Sequence, residues 1–225
     1  MIRYATRTVK GRQRTENRDC AGGRYDGVRG VFVVVDGTSK PGSEVLAPAL
    51  VEHIFHGYQE QIERGTQDLT HEQVESLLKV VLYDAHSALF SGMATGSASY
   101  LVAVVSGRFL TIAYEGDCSA GVVTSIDSIT WLTPPHCLAN WKRDRGHRQL
   151  ATDLGRHKIT RCFKARRTPE PEFVTRVVIE GETLVFATDG FWAGLNDTDQ
   201  ARMLDPEIPD PTHVDDDVTW IVVQT

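Results

Sequence analysis

Short apolar runs rich in β-branched residues are the feature that most narrows the folds open to this chain. We assign seven of them as strands, at residues 31–35, 99–106, 109–116, 119–125, 175–181, 183–189 and 218–224. Residues of this type fit the pleated surface of a sheet. Because several runs are separated by only one or two residues, tight hairpins and antiparallel pairing are favoured.

Two amphipathic segments in the middle of the chain predict adjacent helices. The first runs from about Ser43 or Pro48 to Glu63, with Pro48 best placed near its first turn. The second begins at Thr70, where the spacing to Gln73 resembles a capping box. Strands, then two helices, then mostly strands predict an α+β fold with helices layered on antiparallel sheets.

Bulk properties limit the classes of protein to which the chain can belong. Its 225 residues suffice for one domain with a substantial core, and a formal net charge of -6 argues against general nucleic-acid binding. The four cysteines are scattered, which favours a reducing compartment. The N-terminus is too polar for a signal peptide and no apolar run is long enough to span a bilayer. We therefore expect a cytoplasmic protein that contacts no membrane.

Positive charge is concentrated in residues 142–167. This segment has ten Lys or Arg against two Asp, so it carries +8 and the rest of the chain -14. It can be a solvated loop, or a basic rim that attracts phosphorylated or acidic partners. A nucleic-acid partner is disfavoured because no interleaved aromatic platform accompanies the charge.

Acidic residues follow several of the apolar runs. Asp36 and Asp189 each precede a glycine, Asp117 follows the run at 109–116, and residues 215–217 are all Asp before the final run. One Asp-Gly pair usually means a turn. Four acidic strand ends suggest converging carboxylates, which repel one another unless cations neutralise them. Oxygen ligands without clustered Cys or His suit Mg²⁺ or Mn²⁺ rather than zinc.

With its neighbours, this pattern resembles the metal-dependent protein phosphatase family of the protein phosphatase 2C type, in a short, bacterial-like form. The resemblance covers nearly the whole chain and its motifs occur in the family's order. They are KGRQRTENRD (10–19), VVVDG (33–37), TGSASYLVAVV (95–105), YEGDCSAGVV (114–123), FATDGFWAGLND (186–197) and DDDVTWIVV (215–223), with weaker counterparts in WLTPPH (131–136) and ITRCF (159–163).

The resemblance implies a four-layer αββα sandwich, in which two antiparallel sheets are flanked by helix pairs. It also implies a site with two Mg²⁺ or Mn²⁺ ions at one end of the sandwich. Asp36 would bridge the ions, the Gly37 carbonyl would bind one of them, and Asp189 and Asp216 would complete the other. Asp117 would help Asp189 to hold a third, weaker ion.

The implied activity is hydrolysis of phosphate monoesters on phosphoproteins by attack of a metal-bridging water. Arg14 would clamp the phosphate and Asp19 would support the ligands from behind. The family resemblance implies a protein serine/threonine phosphatase that opposes a Ser/Thr kinase. We expect a monomer without nucleic-acid partners, in which residues 142–167 form a flap-like segment that steers the phosphoprotein.

The sequence departs from the family pattern at two places near the expected site. Arg18 stands where the family has a metal-binding Glu. Either Glu16 reaches in after a local shift, or Arg18 turns to solvent, or the second metal site is weakened. Thr38 replaces a histidine often found there as a proton donor, and Lys40 either contacts phosphate or faces solvent.

A third departure is the short segment before the last strand. Only nineteen residues separate Asn196 from Asp216, and LDPEIPDPTH (204–213) carries three prolines, so a long helix cannot form there. These departures keep a second reading open, in which the chain is a pseudophosphatase. Such a binding module would recognise a phosphoprotein or regulate a kinase without turnover.

Overall fold

The computed structural model describes residues 2–63, 69–125, 128–211 and 214–225. The helices are α1 (Ser43–Glu63), α2 (His71–Ser91), α3 (His147–Ala151), α4 (Asp189–Trp192) and α5 (Asp197–Met203). The strands are β1 (Arg3–Val9), β2 (Asp19–Tyr25), β3 (Arg29–Gly37), β4 (Ser97–Ser106), β5 (Phe109–Glu115), β6 (Ser119–Ser125), β7 (Ser128–Trp131), β8 (Phe163–Lys164), β9 (Glu172–Val177), β10 (Thr183–Ala187) and β11 (Val218–Gln224). Single 3-10 turns occupy Leu138–Asn140 and Leu154–His157.

The strands form two antiparallel sheets. The first sheet has the order β1-β11-β10-β6-β7. The second has the order β2-β3-β4-β5-β9, and the short β8 pairs with β4. The α+β fold with antiparallel sheets, expected from the spacing of the apolar runs, is confirmed.

The central strand β3 shows why its sequence is continuously apolar. Phe32 and Val34 belong to the core between the two sheets, whereas Val31, Val33 and Val35 pack in the core beneath α1 and α2. Successive side chains of a strand point to opposite faces, so a strand buried on both faces needs no polar residue until it ends. The first polar side chain after this apolar run is Asp36, at the end of the strand, where the candidate site lies.

Helices α1 and α2 cover the outer face of the second sheet. The capping box predicted at the start of α2 is present, since the Thr70 side chain accepts from the Gln73 amide and the Gln73 side chain accepts from the Thr70 amide. Pro48 lies inside α1, in its second turn rather than near the start, because the helix already begins at Ser43.

The outer face of the first sheet has a thinner cover. The short helices α4 and α5 contribute Phe191 and Met203 to an apolar cluster that includes Trp220 of β11. The chain then continues without a helix through the proline-rich stretch to residue 211, as its prolines predict, and Thr212 and His213 lie outside the described residues. The four-layer order is therefore present, with a reduced outer layer on this side.

Four strands were absent from the sequence prediction: β1, β2, β7 and β8. The predicted strand at 175–181 also begins earlier, at Glu172, and ends at Val177. None of the helices within the described ranges is long and apolar enough to cross a bilayer.

Candidate active site

The acidic strand ends converge on one cleft. Asp36, Asp117, Asp189 and Asp216 line a single opening of about 540 Å³, together with Arg14. Asp36 is paired across the sheet with Asp19 on one side and with Ser99 on the other. The structure thus brings together residues that span almost the whole length of the sequence.

The two Asp-Gly pairs serve close backbone contacts rather than hairpin turns. Neither Gly37 nor Gly190 has a positive φ. A Cβ at Gly190 would lie 1.9 Å from the Asp217 carbonyl oxygen, and one at Gly37 would lie 2.7 Å from the Arg18 carbonyl oxygen. Each glycine therefore lets the chain beside its aspartate press against a neighbouring segment of the site.

Burial and mutual repulsion perturb the carboxyl groups of the cleft. Burial raises the pKa of Asp36 well above its ordinary value, and the charges of Asp19 and Asp189 raise it further. Burial, reinforced by the charge of Asp189, raises the pKa of Asp117 to about 7. These groups are unfavourable as free anions, and cations nearby would stabilise them.

Two arginines supply part of that positive charge. The Arg14 Nε and Nη2 atoms lie 2.7 and 2.5 Å from Oδ1 of Asp216. The Arg156 Nη1 atom lies 2.6 Å from Oδ2 of Asp189, with only about 15% of either side chain exposed. Burial raises the pKa of Asp189, and the charge of Arg156 opposes that rise.

Asp217 has a different task from its neighbour Asp216. Its carboxylate is buried and accepts the backbone N–H groups of Gly11 and Arg18, each at 2.9 Å. These two bonds tie the N-terminal loop that carries Arg14 to the start of β11. Asp19 lies beside this contact and accepts a hydrogen bond of 2.9 Å from the Thr188 hydroxyl.

The positions that depart from the family pattern are defined by their contacts. Glu16 is exposed, and the Arg18 side chain is partly buried rather than turned to solvent. The Arg18 Nε atom is buried without a hydrogen-bond partner among the described residues. The Thr38 hydroxyl lies within hydrogen-bond distance of the Ser97 hydroxyl, at 2.9 Å, and of the Ser43 hydroxyl, at 3.3 Å.

The oxygen atoms in the cleft have the chemistry that a hard divalent ion requires. Within the described residues, no three or more Asp, Glu, His or Cys side chains are already gathered as ligands around one point. Arg14 and Arg156 instead hold two of the four carboxylates. Asp36, Asp117, Asp189 and Asp216 are the side chains that could bind Mg²⁺ or Mn²⁺ once those guanidinium groups withdraw.

The basic segment at 142–167 is not a uniform rim of free charge. Six of its arginines pair with carboxylates, namely Arg143, Arg145, Arg148, Arg156, Arg161 and Arg167. The fully buried Glu115 receives two of them, Arg161 and Arg167. His147 of α3 also docks the segment, with its Nε2 atom 2.8 Å from the Ser119 hydroxyl. Much of the positive charge therefore fixes the segment to the sheets.

Sequence reasoning missed several contributors to the site. Ser99 donates to Asp117 at 2.7 Å, and Thr188 and Arg156 hold other carboxylates of the cluster. In the sequence, Arg156 is only one of the ten positive charges in residues 142–167. His157 and Lys158 line the same cleft. For Arg156, His157 and Lys158, the one available signal in the sequence is their place in the basic segment at 142–167.

The role of Asp217 predicts unequal effects within the Asp triplet. Asp217→Ala should lower the free energy of unfolding by about 2–4 kcal/mol, because two buried amides lose their acceptor. Asp215→Ala is the matched control. It removes an exposed pair with Arg12 and should cost less than about 1 kcal/mol. Urea denaturation measures both, and equal losses would contradict the anchoring role.

The pKa of Asp117 predicts a pH dependence of stability in protein freed of divalent ions with EDTA. Its folded pKa of about 7 lies above the unfolded value. The folded form therefore retains a proton that the unfolded form loses, and stability falls as pH rises through about 7.

Asp117→Asn keeps an acceptor for Ser99 but cannot ionise. Between about pH 5.5 and pH 8, wild type should lose roughly 1 kcal/mol per pH unit more than the variant until Asp117 is ionised. Contributions from histidines cancel in this difference. Asp84→Asn, at an exposed position of α2, is the control. Parallel melting curves for wild type and Asp117→Asn would refute the prediction.

Comparison with known proteins identifies the fold. No protein-family model matches the chain. No curated protein matches its sequence. Among solved structures, the serine/threonine phosphatase Stp1 from Staphylococcus aureus is 19% identical with a TM-score of 0.80, over 100% of this chain and 95% of that chain.

Two further structures support the same assignment. The S. agalactiae serine/threonine phosphatase is 16% identical with a TM-score of 0.79, and 99% of each chain is covered. The catalytic domain of the serine/threonine protein phosphatase PstP, in complex with two manganese ions, is 16% identical with a TM-score of 0.70, over 99% of this chain and 97% of that chain. The resemblance stated from the motifs is confirmed at the level of the fold: this chain has the fold of the bacterial serine/threonine phosphatases.

Proposed function

We propose that this chain is a metal-dependent protein serine/threonine phosphatase of the protein phosphatase 2C type. The observation that carries the proposal is the cleft in which Asp36, Asp117, Asp189 and Asp216 meet beside Arg14. This arrangement occurs in a fold shared with bacterial serine/threonine phosphatases. If the four aspartates served only separate turns, they would not be expected to line one cleft.

The proposed ligands of two Mg²⁺ or Mn²⁺ ions are Asp36, the Gly37 carbonyl, Asp189 and Asp216. Asp117 would help Asp189 to hold a third ion. The manganese-bound PstP domain supports this cofactor class by analogy of fold. When bound, the ions would lower the pKa of a water molecule and offset negative charge on the phosphate.

Arg14 is the proposed phosphate clamp. Its side chain is about 29% exposed and its guanidinium now lies against Asp216, with the Ser39 hydroxyl 3.5 Å from Nη1. If an ion neutralises Asp216, the guanidinium becomes free to take two phosphate oxygens through its planar fork. The Lys10 ammonium bonds the Arg14 carbonyl at 2.9 Å and steadies the loop that carries the clamp.

The proposed substrate is a phosphorylated protein, and the proposed setting is the cytoplasm, opposite a Ser/Thr kinase. The cleft is lined largely by polar and charged side chains, and its volume of about 540 Å³ leaves room for a phosphorylated side chain. We also propose that the enzyme is a monomer, since the proposed ligands and phosphate clamp do not require a second copy of the chain.

Loss of a proposed ligand should abolish turnover without unfolding the protein. With Mn²⁺ and an aryl phosphate, Asp189→Ala should reduce kcat/KM by more than about a hundredfold, since loss of even an outer partner of a metal ligand costs ten- to a hundredfold. Asp84→Ala on the exposed face of α2 should retain wild-type activity. Circular dichroism checks folding, and an active Asp189→Ala would remove the metal mechanism.

The second candidate function, a pseudophosphatase, draws support from Arg18. A positive side chain is partly buried where the family has a metal-binding Glu, and its Nε atom has no partner among the described residues. The Arg18 backbone N–H bonds Asp217 and its carbonyl faces Gly37, so a positive side chain at this position could weaken one ion site. A chain with that site lost would bind a phosphoprotein without hydrolysing it.

Calorimetric titration with Mn²⁺ distinguishes these two functions. Two or more sites in wild type favour catalysis, whereas one or none favours the binding module. If position 18 reaches an ion, Arg18→Glu should tighten Mn²⁺ binding by about tenfold or more relative to Arg18→Gln, which removes the positive charge without adding a carboxylate. Equal affinities in the two variants would show that position 18 does not reach the metal site.

A further inference from the structure

The lysines of this chain fall into two groups by what their ammonium groups touch. The chain contains six lysines. Three of them are engaged: Lys10 donates to a backbone carbonyl, while Lys79 and Lys142 lie over aromatic rings. The other three, Lys40, Lys158 and Lys164, have no hydrogen bond, ion pair or ring contact at Nζ with any described residue.

The three unengaged lysines line the same cleft as the four aspartates. Lys40 lies in the loop after β3, Lys158 follows the 3-10 turn at Leu154–His157, and Lys164 ends β8. They therefore reach the cleft from three separate elements. We call these three residues the lysine wall.

Two members of the wall act on the thiol of Cys162. Cys162 also lines the cleft. Burial raises the pKa of its thiol, and the charges of Lys164 and Lys40 both oppose that rise. The charges of Lys164 and Lys40 therefore both act on this thiol, and each has a larger effect on it than the opposing charge of Glu115.

The arginines of the same region provide the contrast. Arg156 is paired with Asp189, and Arg161 and Arg167 are paired with Glu115. These arginines are therefore paired with carboxylates, whereas the three lysines of the wall form no ion pair with any described residue although they share the cleft with the aspartates. Like charges gathered in a cleft repel one another and attract an anionic ligand.

The size of the opening shows that one phosphate would not fill it. The cleft holds about 540 Å³, within the range of pockets that enclose a drug-sized ligand. Arg14 is already assigned to the phosphate that is removed. The wall therefore has room and charge for another part of the same substrate.

We propose that the lysine wall binds a second anionic group next to the phosphorylated residue. The preferred substrate is thus a phosphopeptide segment whose neighbouring residue carries a carboxylate or another phosphate. This inference rests on the proposed phosphatase function, and it names the class of substrate that the same site selects.

The test uses three phosphopeptides that differ only beside the phosphoserine, with Gln, Glu or a second phosphoserine. With Mn²⁺, wild type should show a kcat/KM about tenfold higher for the two anionic peptides than for the Gln peptide, since each exposed charge pair adds a small factor. The preference should appear mainly in KM and shrink as salt is raised.

Substitutions assign the preference to the wall. The triple variant Lys40→Gln, Lys158→Gln and Lys164→Gln should bring the ratio of the anionic peptides to the Gln peptide close to one. Lys158→Gln alone should lower the ratio, whereas Lys142→Gln, an equal charge change at an exposed lysine outside the cleft, should preserve it. A larger effect with the diphosphorylated peptide identifies phosphate as the second group, and equal effects identify any anion.

Binding measured by fluorescence anisotropy separates this inference from the proposed function. The same fluorescent peptides are titrated with wild type and with the triple variant in the absence of added metal, so turnover is not needed. A preference for the anionic peptides that the triple variant loses supports the wall, even if no peptide is hydrolysed with Mn²⁺. Hydrolysis without that preference, or a preference that the triple variant retains, overturns the wall and leaves the phosphatase function standing.

Discussion

Mutual repulsion among buried carboxylates is the constraint on which the rest of this structure depends. Burial raises the pKa values of Asp19, Asp36, Asp117 and Asp189 at the end of the two packed sheets, and the charges of neighbouring aspartates raise them further. Such a cluster lowers stability unless cations are near. The fold keeps the carboxylates together through rigid elements on every side, since the core between the sheets is continuous with the strands that end at the site.

Several features of the chain can be understood as ways to manage that repulsion. Arg14 and Arg156 neutralise two carboxylates directly. The Asp217 carboxylate accepts hydrogen bonds from backbone amides. Ser99 donates to Asp117, and Thr188 donates to Asp19. In the proposed function, these arginine contacts would give way to divalent ions and to the substrate phosphate.

The sequence allowed the fold class, the two long helices and most central strands to be predicted, because these elements bury regular apolar faces. It failed for β1 and β2 for a physical reason. Strand β1 lies at a sheet edge, where exposed positions alternate with partly buried ones and none is fully buried. Strand β2 contains Ala21, Gly22 and Gly23, which have little strand propensity. Only their pairing with β11 and β3 makes them strands.

The candidate site was predictable where chemistry coincided with strand ends, and not where it depended on partners. Asp36 and Asp189 were recognisable from the residues around them. Nothing in residues 215–217 distinguishes the buried anchor Asp217 from the exposed Asp215, and nothing in a count of basic residues separates Arg156 from Lys158. These distinctions arise from which groups meet in space, and a sequence pattern does not contain that information.

The two hydrogen bonds between Asp217 and the N-terminal loop determine when the protein can complete its fold during synthesis. Strand β11 lies between β1 and β10, and Asp217 at its start orders Gly11 and Arg18. During translation, a nascent chain therefore cannot assemble the end of the sheets that carries the cleft until residues 215–224 have left the ribosome. Incomplete polypeptides would carry most of the acidic motifs without the assembled cleft.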